Sequence, residues 1–391
     1  MEKVIRKICF IEPKFLRSIG GVETHSYEFV KHFMENKNYK IDSIISKKNI
    51  KEGINLKIRD KRFEKITKRI LIGNIKKDAK IILKNSIDSE IYFFNSPNWI
   101  LTAKYIREEK PNSKIFVRSG GNDIIAGWIL NEKDNLNKLE DNRKKIVEII
   151  NNYIDKLIVN SKYSEKRMIS VGIKKRKIKI ISGGVDCETF SPKRKRNHNN
   201  KNIKIGFWGR LVEFKGLEYS LKAINEVHKK YKSIEFTIIG DGPERKKILD
   251  LISKMNLKNI VKYKGIMEFN KIPLVARDFD IFLHLPIYLR KIERGSNYIH
   301  TETMGRTYCE ASSMGIPSVI SNVGGGPEMI INNKTGFIVK EKDYLEASKK
   351  ILKLINNLKL RKKFGAKARK ISLRKYDWNK LINKYEKVFG K

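Results

Sequence analysis

Short runs of β-branched residues alternate along this chain with glycine or polar turns and then with amphipathic helical patterns. Strands that alternate with helices pair in parallel, because each connecting helix crosses a face of the sheet. The pattern therefore predicts an α/β chain built on doubly wound parallel sheets. In the first half, the predicted strands are 8–11, 41–45, 91–94, 115–117, 157–159 and 178–181.

The alternation stops at 191–202, a basic stretch without a hydrophobic residue, which is typical of an interdomain linker. It then restarts, so we predict two Rossmann-like domains, 1–190 and 203–374, and a C-terminal helix at 375–391 that packs back on the first domain. Doubly wound sheets bind ligands at the carboxyl ends of their strands, so the two domains are expected to face each other across a cleft. The second set of predicted strands is 203–207, 234–239, 260–263, 281–283, 319–320 and 337–339.

The net charge of +42, from 85 Lys and Arg against 43 Asp and Glu, calls for an anionic partner. Nucleic acid, acidic lipid headgroups and phosphorylated small molecules all qualify. Cys9, Cys187 and Cys309 are far apart and form no CxxC pair, so a disulfide framework and a zinc site are not indicated, and a cytoplasmic location is expected. No run of about 18 apolar residues is present, so any membrane contact is expected to be peripheral.

Glu302 and Glu310 lie eight residues apart in the segment 302–315, ETMGRTYCEASSMG. If most of this interval is helical, the two carboxylates are separated by roughly 12 Å along the axis, a span suited to both ends of a sugar-diphosphate-ribose. Gly305 would let a diphosphate approach the backbone amides of a helix N-terminus. Taken alone, two glutamates at this spacing more often mark the solvated face of a helix.

The neighbouring residues favour the ligand-binding interpretation. Together with the two glutamates, they resemble the E-x7-E signature and flanking motifs of the retaining family 4 glycosyltransferases, which are glycosyl transferases of group 1 with a GT-B fold of two facing Rossmann-like domains. The resemblance extends over almost the whole chain. Its pieces, in order, are Gly20-Gly21, Gly183 to Asp186, Phe190, Gly209-Arg210, Lys215-Gly216, Gly240 to Glu244, Gly265, Glu302 with Glu310, Gly324 to Glu328, and Thr335 to Phe337.

This resemblance implies a retaining hexosyltransferase that uses a nucleotide-sugar, with UDP the favoured nucleotide. It needs neither a metal nor another cofactor, and no histidine lies in a cation-site arrangement. The implied acceptor is a lipid-linked molecule or a glycan in cell-surface polysaccharide or glycoconjugate synthesis. The resemblance leaves open the base, the sugar, the acceptor and the linkage.

The resemblance also implies roles for single residues. Arg210 and Lys215 would neutralise the diphosphate leaving group, Glu302 would lie beside the donor sugar, and Glu310 would accept the ribose hydroxyls. The catalytic candidates are thus Glu302, Arg210, Lys215 and Asp123. The candidates for binding the nucleotide or donor are Gly20, Gly21, Arg210, Lys215, Gly240, Met267, Gly305, Arg306, Thr307 and Glu310.

The chain departs from the family pattern in two places. Where many relatives carry a histidine that points at the donor sugar, this chain has Gly120, and Arg118, Asn122 or Asp123 are the alternatives for its role. An insertion at 287–301 separates Pro286 from Glu302. It is either a loop that recognises the donor or the acceptor, or an ordinary surface insertion.

The segment 61–77 places apolar residues roughly on one helical face with cations around them, a pattern typical of an interfacial helix on an anionic membrane. An ordinary sheet-covering helix with a basic solvent face has the same pattern. The candidates for membrane or acceptor contact are Lys61, Arg62, Lys65, Lys68 and Arg69.

Two other classes of function compete with the transferase. A nucleotide-sugar epimerase has the same two-domain shape, but it lacks the combination of GRLxxxKG and E-x7-E. A nucleic-acid-binding protein would account for the net charge, but the sequence shows no RNP-like or helix-turn-helix signature.

Overall fold

The computed structural model of the chain divides into two compact units. Unit 1 comprises Met1–Ser182, Arg290–Tyr298 and Asn379–Lys391, and unit 2 comprises Gly183–Leu289 and Ile299–Trp378. Each unit is built on one parallel sheet, which confirms the predicted α/β class with two Rossmann-like domains. The structure describes residues 5–12, 21–46, 67–69, 74–127, 139–192, 202–293 and 296–390.

The sheet of unit 1 has seven parallel strands in the order β3-β2-β1-β4-β5-β6-β7. Most of its strand positions are buried, as expected where crossover helices cover both faces of a parallel sheet. The strands are β1 (Arg6–Ile11), β2 (Tyr39–Ser46), β3 (Thr67–Arg69), β4 (Ile91–Phe94), β5 (Lys114–Arg118), β6 (Lys156–Val159) and β7 (Ile178–Ile180). The helices are α1 (Gly21–Met34), α2 (Ile75–Lys84), α3 (Ala103–Glu109), α4 (Asp123–Ala126), α5 (Leu139–Tyr153) and α6 (Lys162–Ser170).

The sheet of unit 2 has six parallel strands in the order β10-β9-β8-β11-β14-β15, and a separate two-stranded hairpin follows β11. The strands, hairpin included, are β8 (Ile203–Trp208), β9 (Ile234–Ile239), β10 (Val261–Tyr263), β11 (Ile281–His284), β12 (Leu289–Glu293), β13 (Ser296–His300), β14 (Ser318–Ser321) and β15 (Gly336–Val339). The helices of unit 2 are α7 (Leu217–Lys230), α8 (Arg245–Lys254), α9 (Ile272–Ala276), α10 (Arg306–Ser313), α11 (Tyr344–Ile355) and α12 (Leu358–Lys375), and the last helix of the chain is α13 (Trp378–Phe389).

The boundary between the units lies at Ser182/Gly183, before the predicted linker. Val185 and Phe190 are buried in the core of unit 2, which draws the residues after Gly183 into that unit. A Cβ on Gly184 would lie 2.5 Å from the indole of Trp378, so only glycine fits this contact. The prediction that the first domain runs to residue 190 is therefore wrong by eight residues, because 183–190 pack with unit 2.

The last helix, α13, begins at Trp378, three residues later than predicted, and its residues from Asn379 onward group with unit 1. The ring of Tyr385 lies perpendicular to that of Phe29 at 5.1 Å, and Phe389 lies 4.8 Å from Phe116. The Tyr385 hydroxyl also forms a 2.9 Å hydrogen bond with Nε2 of His25. Unit 1 thus owes part of its aromatic core to the final helix.

The prediction of one helix over 61–77 is wrong. Within this range Thr67–Arg69 is strand β3, which pairs in parallel with β2, Ile44 lying opposite Thr67. An edge strand offers unpaired N–H and C=O groups, and pairing with them competes with the helical periodicity of the sequence. The adjacent helix α2 begins only at Ile75, where the Asn74 side chain accepts the N–H of Lys77 at 3.1 Å. Of the five basic candidates, Lys61, Arg62 and Lys65 lie outside the described residues, and Lys68 and Arg69 lie on β3.

Candidate active site

The motif residues of unit 2 lie on loops that leave the carboxyl ends of parallel strands, where doubly wound folds bind ligands. The loops after β8 and β9 are joined by hydrogen bonds, because Leu211 N–H donates to the Asp241 carbonyl at 2.8 Å. Gly240 has a φ of 131°, and a Cβ on it would lie 1.9 Å from the carbonyl oxygen of Gly209. Glycine is required where these two loops meet, and their backbone geometry is therefore fixed.

Lys215 lies just before α7 and forms an ion pair with a carboxylate. It ends a single 3-10 turn, Glu213–Lys215, and Gly216 follows with a φ of 63°. A Cβ on Gly216 would lie 1.8 Å from the Leu285 carbonyl oxygen, so the turn abuts the end of β11. From there Lys215 Nζ donates to Glu302, forming an ion pair whose side chains are only 16% and 11% exposed.

Glu302 is fixed by its backbone as well as by its side chain. Its Oε1 accepts the N–H of Gly305 at 2.9 Å, and its carbonyl accepts the N–H of Gly325 at 3.0 Å. Gly324 has a φ of 60°, and a Cβ there would lie 1.8 Å from the Glu302 carbonyl oxygen. Helix α10 begins only at Arg306, so the interval from Glu302 to Glu310 is helical over its second half alone. The 12 Å estimate, which assumed a mostly helical interval, does not apply.

Glu310 lies on α10 and is 2% exposed. The indole Nε1–H of Trp208, at the end of β8, donates to Glu310 Oε2 at 2.6 Å, and Arg306 Nε lies 3.0 Å from Oε1. Sequence reasoning missed Trp208. The available signal was a tryptophan directly before Gly209-Arg210, because a buried indole N–H requires an acceptor.

Two neutral side chains lie close to the Lys215–Glu302 pair. Burial lowers the pKa of His284 well below its usual value, and the Lys215 cation lowers it further. Burial raises the pKa of Tyr308 well above its usual value, and Glu302 adds to the rise. Their rings lie 5.2 Å apart, and within the described residues neither the His284 nitrogens nor the Tyr308 hydroxyl has a hydrogen-bond partner. The ion pair therefore lies beside uncharged, poorly solvated groups, which strengthens its electrostatic interactions.

The other candidate side chains of unit 2 form fewer polar contacts. Arg210 is exposed, and its side chain forms no hydrogen bond or ion pair within the ranges that the structure describes. Met267 is half-buried against the core of unit 2, and Thr307 is half-buried on the first turn of α10. The structure thus brings Lys215, Glu302, Gly305, Arg306 and Glu310 into one connected group. Arg210, five residues before Lys215, is not part of this group.

In unit 1, Gly20 lies outside the described residues, and Gly21 begins α1. The Asp123 carboxylate accepts the Ser119 hydroxyl at 2.5 Å and the Gly120 N–H at 3.1 Å. Asn122 accepts a 2.8 Å hydrogen bond from Arg167. Asp123 therefore stabilises the turn that contains Gly120.

The insertion at 287–301 forms the hairpin β12–β13 rather than a plain loop, and Arg290–Tyr298 group with unit 1. Its two ends contact the site loops of unit 2. The Tyr288 hydroxyl accepts the N–H of Gly324 at 2.9 Å, and the His300 ring stacks on Phe214 at 4.4 Å, next to Lys215.

Neither a metal-binding cluster nor a membrane-spanning helix is found in the described part of the chain. No three or more His, Cys, Asp or Glu side chains there lie close enough together to hold a metal ion. Among the same residues, no helix has the length and apolar content needed to cross a bilayer.

Comparison with known proteins points to one enzyme class. The model of the family Glycosyl transferases group 1 matches residues 190–371. The uncharacterized glycosyltransferase MJ1069 of Methanocaldococcus jannaschii is 27% identical, with 98% of each chain covered. A GDP-mannose-dependent alpha-(1-6)-phosphatidylinositol monomannoside mannosyltransferase of Mycobacterium tuberculosis is 23% identical over 62% of this chain and 63% of its own.

Among solved structures, Anabaena Alr3699/HepE in complex with UDP and glucose superposes with a TM-score of 0.76 at 17% identity, covering 97% of this chain and 98% of the other. At this identity the match demonstrates the fold, which is GT-B. The chain is thus similar over 98% of its length to an uncharacterized glycosyltransferase, and its residues 190–371 match the glycosyl transferases group 1 family.

Proposed function

We propose that the protein is a retaining, metal-independent glycosyltransferase that moves a hexosyl group from a nucleotide-sugar, with UDP as nucleotide, to a lipid-linked or glycan acceptor in cell-surface polysaccharide or glycoconjugate synthesis. It acts in the cytoplasm, in peripheral contact with the inner face of the cell membrane. The observation that carries the proposal is the connected group in unit 2, in which the Lys215–Glu302 pair adjoins the N-terminus of α10 and Glu310.

The charges of this group suit departure of a nucleoside diphosphate. As the bond from the anomeric carbon to the phosphate oxygen breaks, negative charge grows on that oxygen, and the Lys215 ammonium is placed to stabilise it. Arg210, which is free to move, provides a second cation with a planar fork that matches phosphate. Amides at the N-terminus of α10 favour the same negative charge.

Neither glutamate is arranged as the nucleophile of a double displacement. Glu302 is already paired with Lys215 and with the Gly305 amide, and Glu310 with Trp208 and Arg306. We infer attack by the acceptor hydroxyl on the face that the phosphate leaves, with the departing phosphate oxygen taking the hydroxyl proton. Glu302 then supports positive charge on the sugar ring, and Glu310 accepts the ribose hydroxyls.

The donor and acceptor classes rest on the relatives. The Anabaena protein is described with UDP and UDP-glucose, while the mycobacterial relative uses GDP-mannose and acts on a phosphatidylinositol mannoside. These relatives support a nucleotide-sugar donor and a lipid-linked acceptor. The Anabaena protein, which matches the fold over 97% of this chain, favours UDP as the nucleotide.

Thermal shifts with a panel of nucleotides test the donor. We expect UDP and one UDP-sugar to raise the melting temperature, while GDP- and ADP-sugars at the same concentration do so less, because a ligand that binds only the folded state stabilises it by mass action. At a ligand concentration about 100 times Kd, the gain is about 2.7 kcal/mol. No shift with any nucleotide would contradict the proposed function, and a larger shift with GDP-mannose would correct the base.

Chelation tests the proposed independence from metal. We expect EDTA to leave the rate of transfer essentially unchanged, because Lys215 and Arg210 supply the positive charge that a divalent ion would otherwise bring to the diphosphate. The rate of UDP release is measured with EDTA and with added Mg²⁺ or Mn²⁺. Loss of activity in EDTA that only a divalent ion restores would contradict this part of the proposal.

A further inference from the structure

Helix α12 of unit 2, Leu358–Lys375, carries nine lysines and arginines among its 18 residues and no aspartate or glutamate. Elsewhere in the same unit, helices carry acidic residues that pair with some of their basic side chains. Lys222 and Lys247, on α7 and α8, both contact Glu218. The charge of α12 therefore has no local counterpart on its own helix.

Two of the nine cations face inward and hold the helix in place. Arg361 is 8% exposed, donates to the carbonyls of Leu354 and Ile355 and lies 3.6 Å from Asp280. Arg369 donates to the carbonyls of Cys187 and Phe190 and, at 2.6 Å, to that of Ser313, the last residue of α10. These arginines are structural, and they fix which side of the helix packs against the rest of unit 2.

Six of the other cations form a single stripe along the exposed side of the helix. At about 100° per residue, their positions fall within an arc of about 140° and extend for about 22 Å along the axis. All six are exposed, and within the described part of the chain none of their side chains forms a hydrogen bond or an ion pair. This basic stripe consists of Lys359, Lys362, Lys363, Lys367, Lys370 and Arg374.

The make-up of the basic stripe fits a bilayer surface better than nucleic acid. Five of its six cations are lysines, which act as point charges, whereas arginine is preferred for bidentate recognition of nucleic-acid phosphates. Leu358 and Leu373, 36% and 42% exposed, lie along one side of it. An exposed apolar side chain beside cations can enter the headgroup region, and no exposed aromatic residue is present on α12 to stack on bases.

We propose that the basic stripe of α12 is the surface by which this protein docks on an anionic lipid bilayer. The inference rests on the proposed function only in that a lipid-linked acceptor requires the enzyme to work at a membrane. It replaces the segment 61–77 as the membrane contact, and it places that contact in unit 2.

The test compares two variants of the full chain with equal changes in charge. The stripe variant carries K359Q, K362Q, K363Q, K367Q and K370Q. The matched control changes five exposed lysines of unit 2 that lie on other elements, namely K230Q, K232Q, K254Q, K258Q and K334Q. Each protein is sedimented with vesicles of phosphatidylcholine containing 30% phosphatidylglycerol, and with vesicles of phosphatidylcholine alone, at low salt and at about 0.5 M salt.

We expect the parent to bind the anionic vesicles at low salt, to leave them at about 0.5 M salt, where screening shortens the Debye length to a few ångströms, and to ignore neutral vesicles. A cation close to an anionic surface contributes roughly fivefold to the partition coefficient, so the stripe variant should lose at least about 50-fold and the control much less. The UDP-induced thermal shift should be the same in all three proteins, because the changed residues are not part of the site.

Every other outcome is also decisive. Equal losses in both variants would mean that total charge alone drives binding, and would overturn the assignment to α12. If the parent ignores anionic vesicles but binds a 30-base-pair DNA duplex through the stripe, the partner is nucleic acid and the proposal is wrong. Vesicle binding that depends on the stripe, without any nucleotide-induced shift, would support the docking surface and contradict the transferase proposal.

Discussion

Replacing Lys215 with methionine should lower kcat/KM for transfer by at least about a hundredfold without unfolding the protein. Methionine keeps the length of the side chain but removes the cation that faces the departing diphosphate, and loss of one such contact commonly costs 10²–10³ in rate. The measurement is the rate of UDP release from the donor that gives the largest thermal shift. The decrease in kcat/KM should come mainly from a lower kcat, because the charge on the phosphate oxygen grows in the transition state.

Lys222→Met is the matched control for Lys215→Met. Lys222 lies on α7, seven residues after Lys215, and also forms an ion pair, but its partner at 2.8 Å is Glu218 rather than Glu302, and it is not part of the connected group. We expect its activity to stay within about twofold of the parent, since a surface ion pair contributes little to stability and Glu218 keeps Lys247 as a partner. Equal losses in the two variants would show that the effect of Lys215 is structural.

Arg210→Ala should reduce activity less, by about tenfold, because Arg210 is exposed and must become ordered before it can contact the diphosphate. Near-normal activity in both Arg210→Ala and Lys215→Met would remove the proposed leaving-group site.

The regular strands of this fold were predictable because burial in a parallel sheet demands continuous β-branched or aromatic runs. The buried run Ile91–Phe94 was predicted with its observed bounds, as was Ile234–Ile239. Strand β3 was missed, since three residues at a sheet edge, Thr67–Arg69, have no buried apolar run and take their conformation from pairing with β2. Local pattern carries no information on such pairing.

The site was predictable to the extent that backbone geometry dictates residue type. Glycines at 216, 240, 305 and 324 all have positive φ, and three of them would place a Cβ about 2 Å from a backbone oxygen. Such positions leave a fixed motif in the sequence. The hydrogen-bond partners of the two carboxylates leave no such motif in the sequence. Trp208 donates to Glu310 only because the fold brings together residues that are 102 positions apart.

The hairpin β12–β13 and the early unit boundary were missed for a similar reason. The hairpin ends at His300, whose ring stacks on Phe214, and its Tyr298 is buried in the core of unit 1. Both contacts join residues that are distant in the chain. The sequence predicted an insertion at 287–301, but it could not predict what the insertion packs against.

We expect substitutions of the two glutamates to impair different steps of the reaction. Glu302→Gln should lower kcat by about a hundredfold or more while leaving the Kd for UDP within about threefold, because Glu302 is assigned to the sugar and its charge matters most when positive charge develops there. Glutamine keeps the shape of the side chain and can still accept the Gly305 N–H that Glu302 Oε1 accepts at 2.9 Å. The loss is therefore expected from charge rather than from a change in the loop.

Glu310→Gln should instead weaken UDP binding by about tenfold or more and lower kcat less. A carboxylate accepts from both ribose hydroxyls, whereas an amide offers one acceptor oxygen, and its NH₂ group would face either the indole N–H of Trp208 or Arg306 Nε, which lies 3.0 Å from Oε1. Calorimetric titration with UDP and steady-state rates, measured on both variants, separate the two effects. The opposite order, with Glu302→Gln losing UDP and Glu310→Gln losing only turnover, would show that the two carboxylates have been assigned to the wrong ends of the donor.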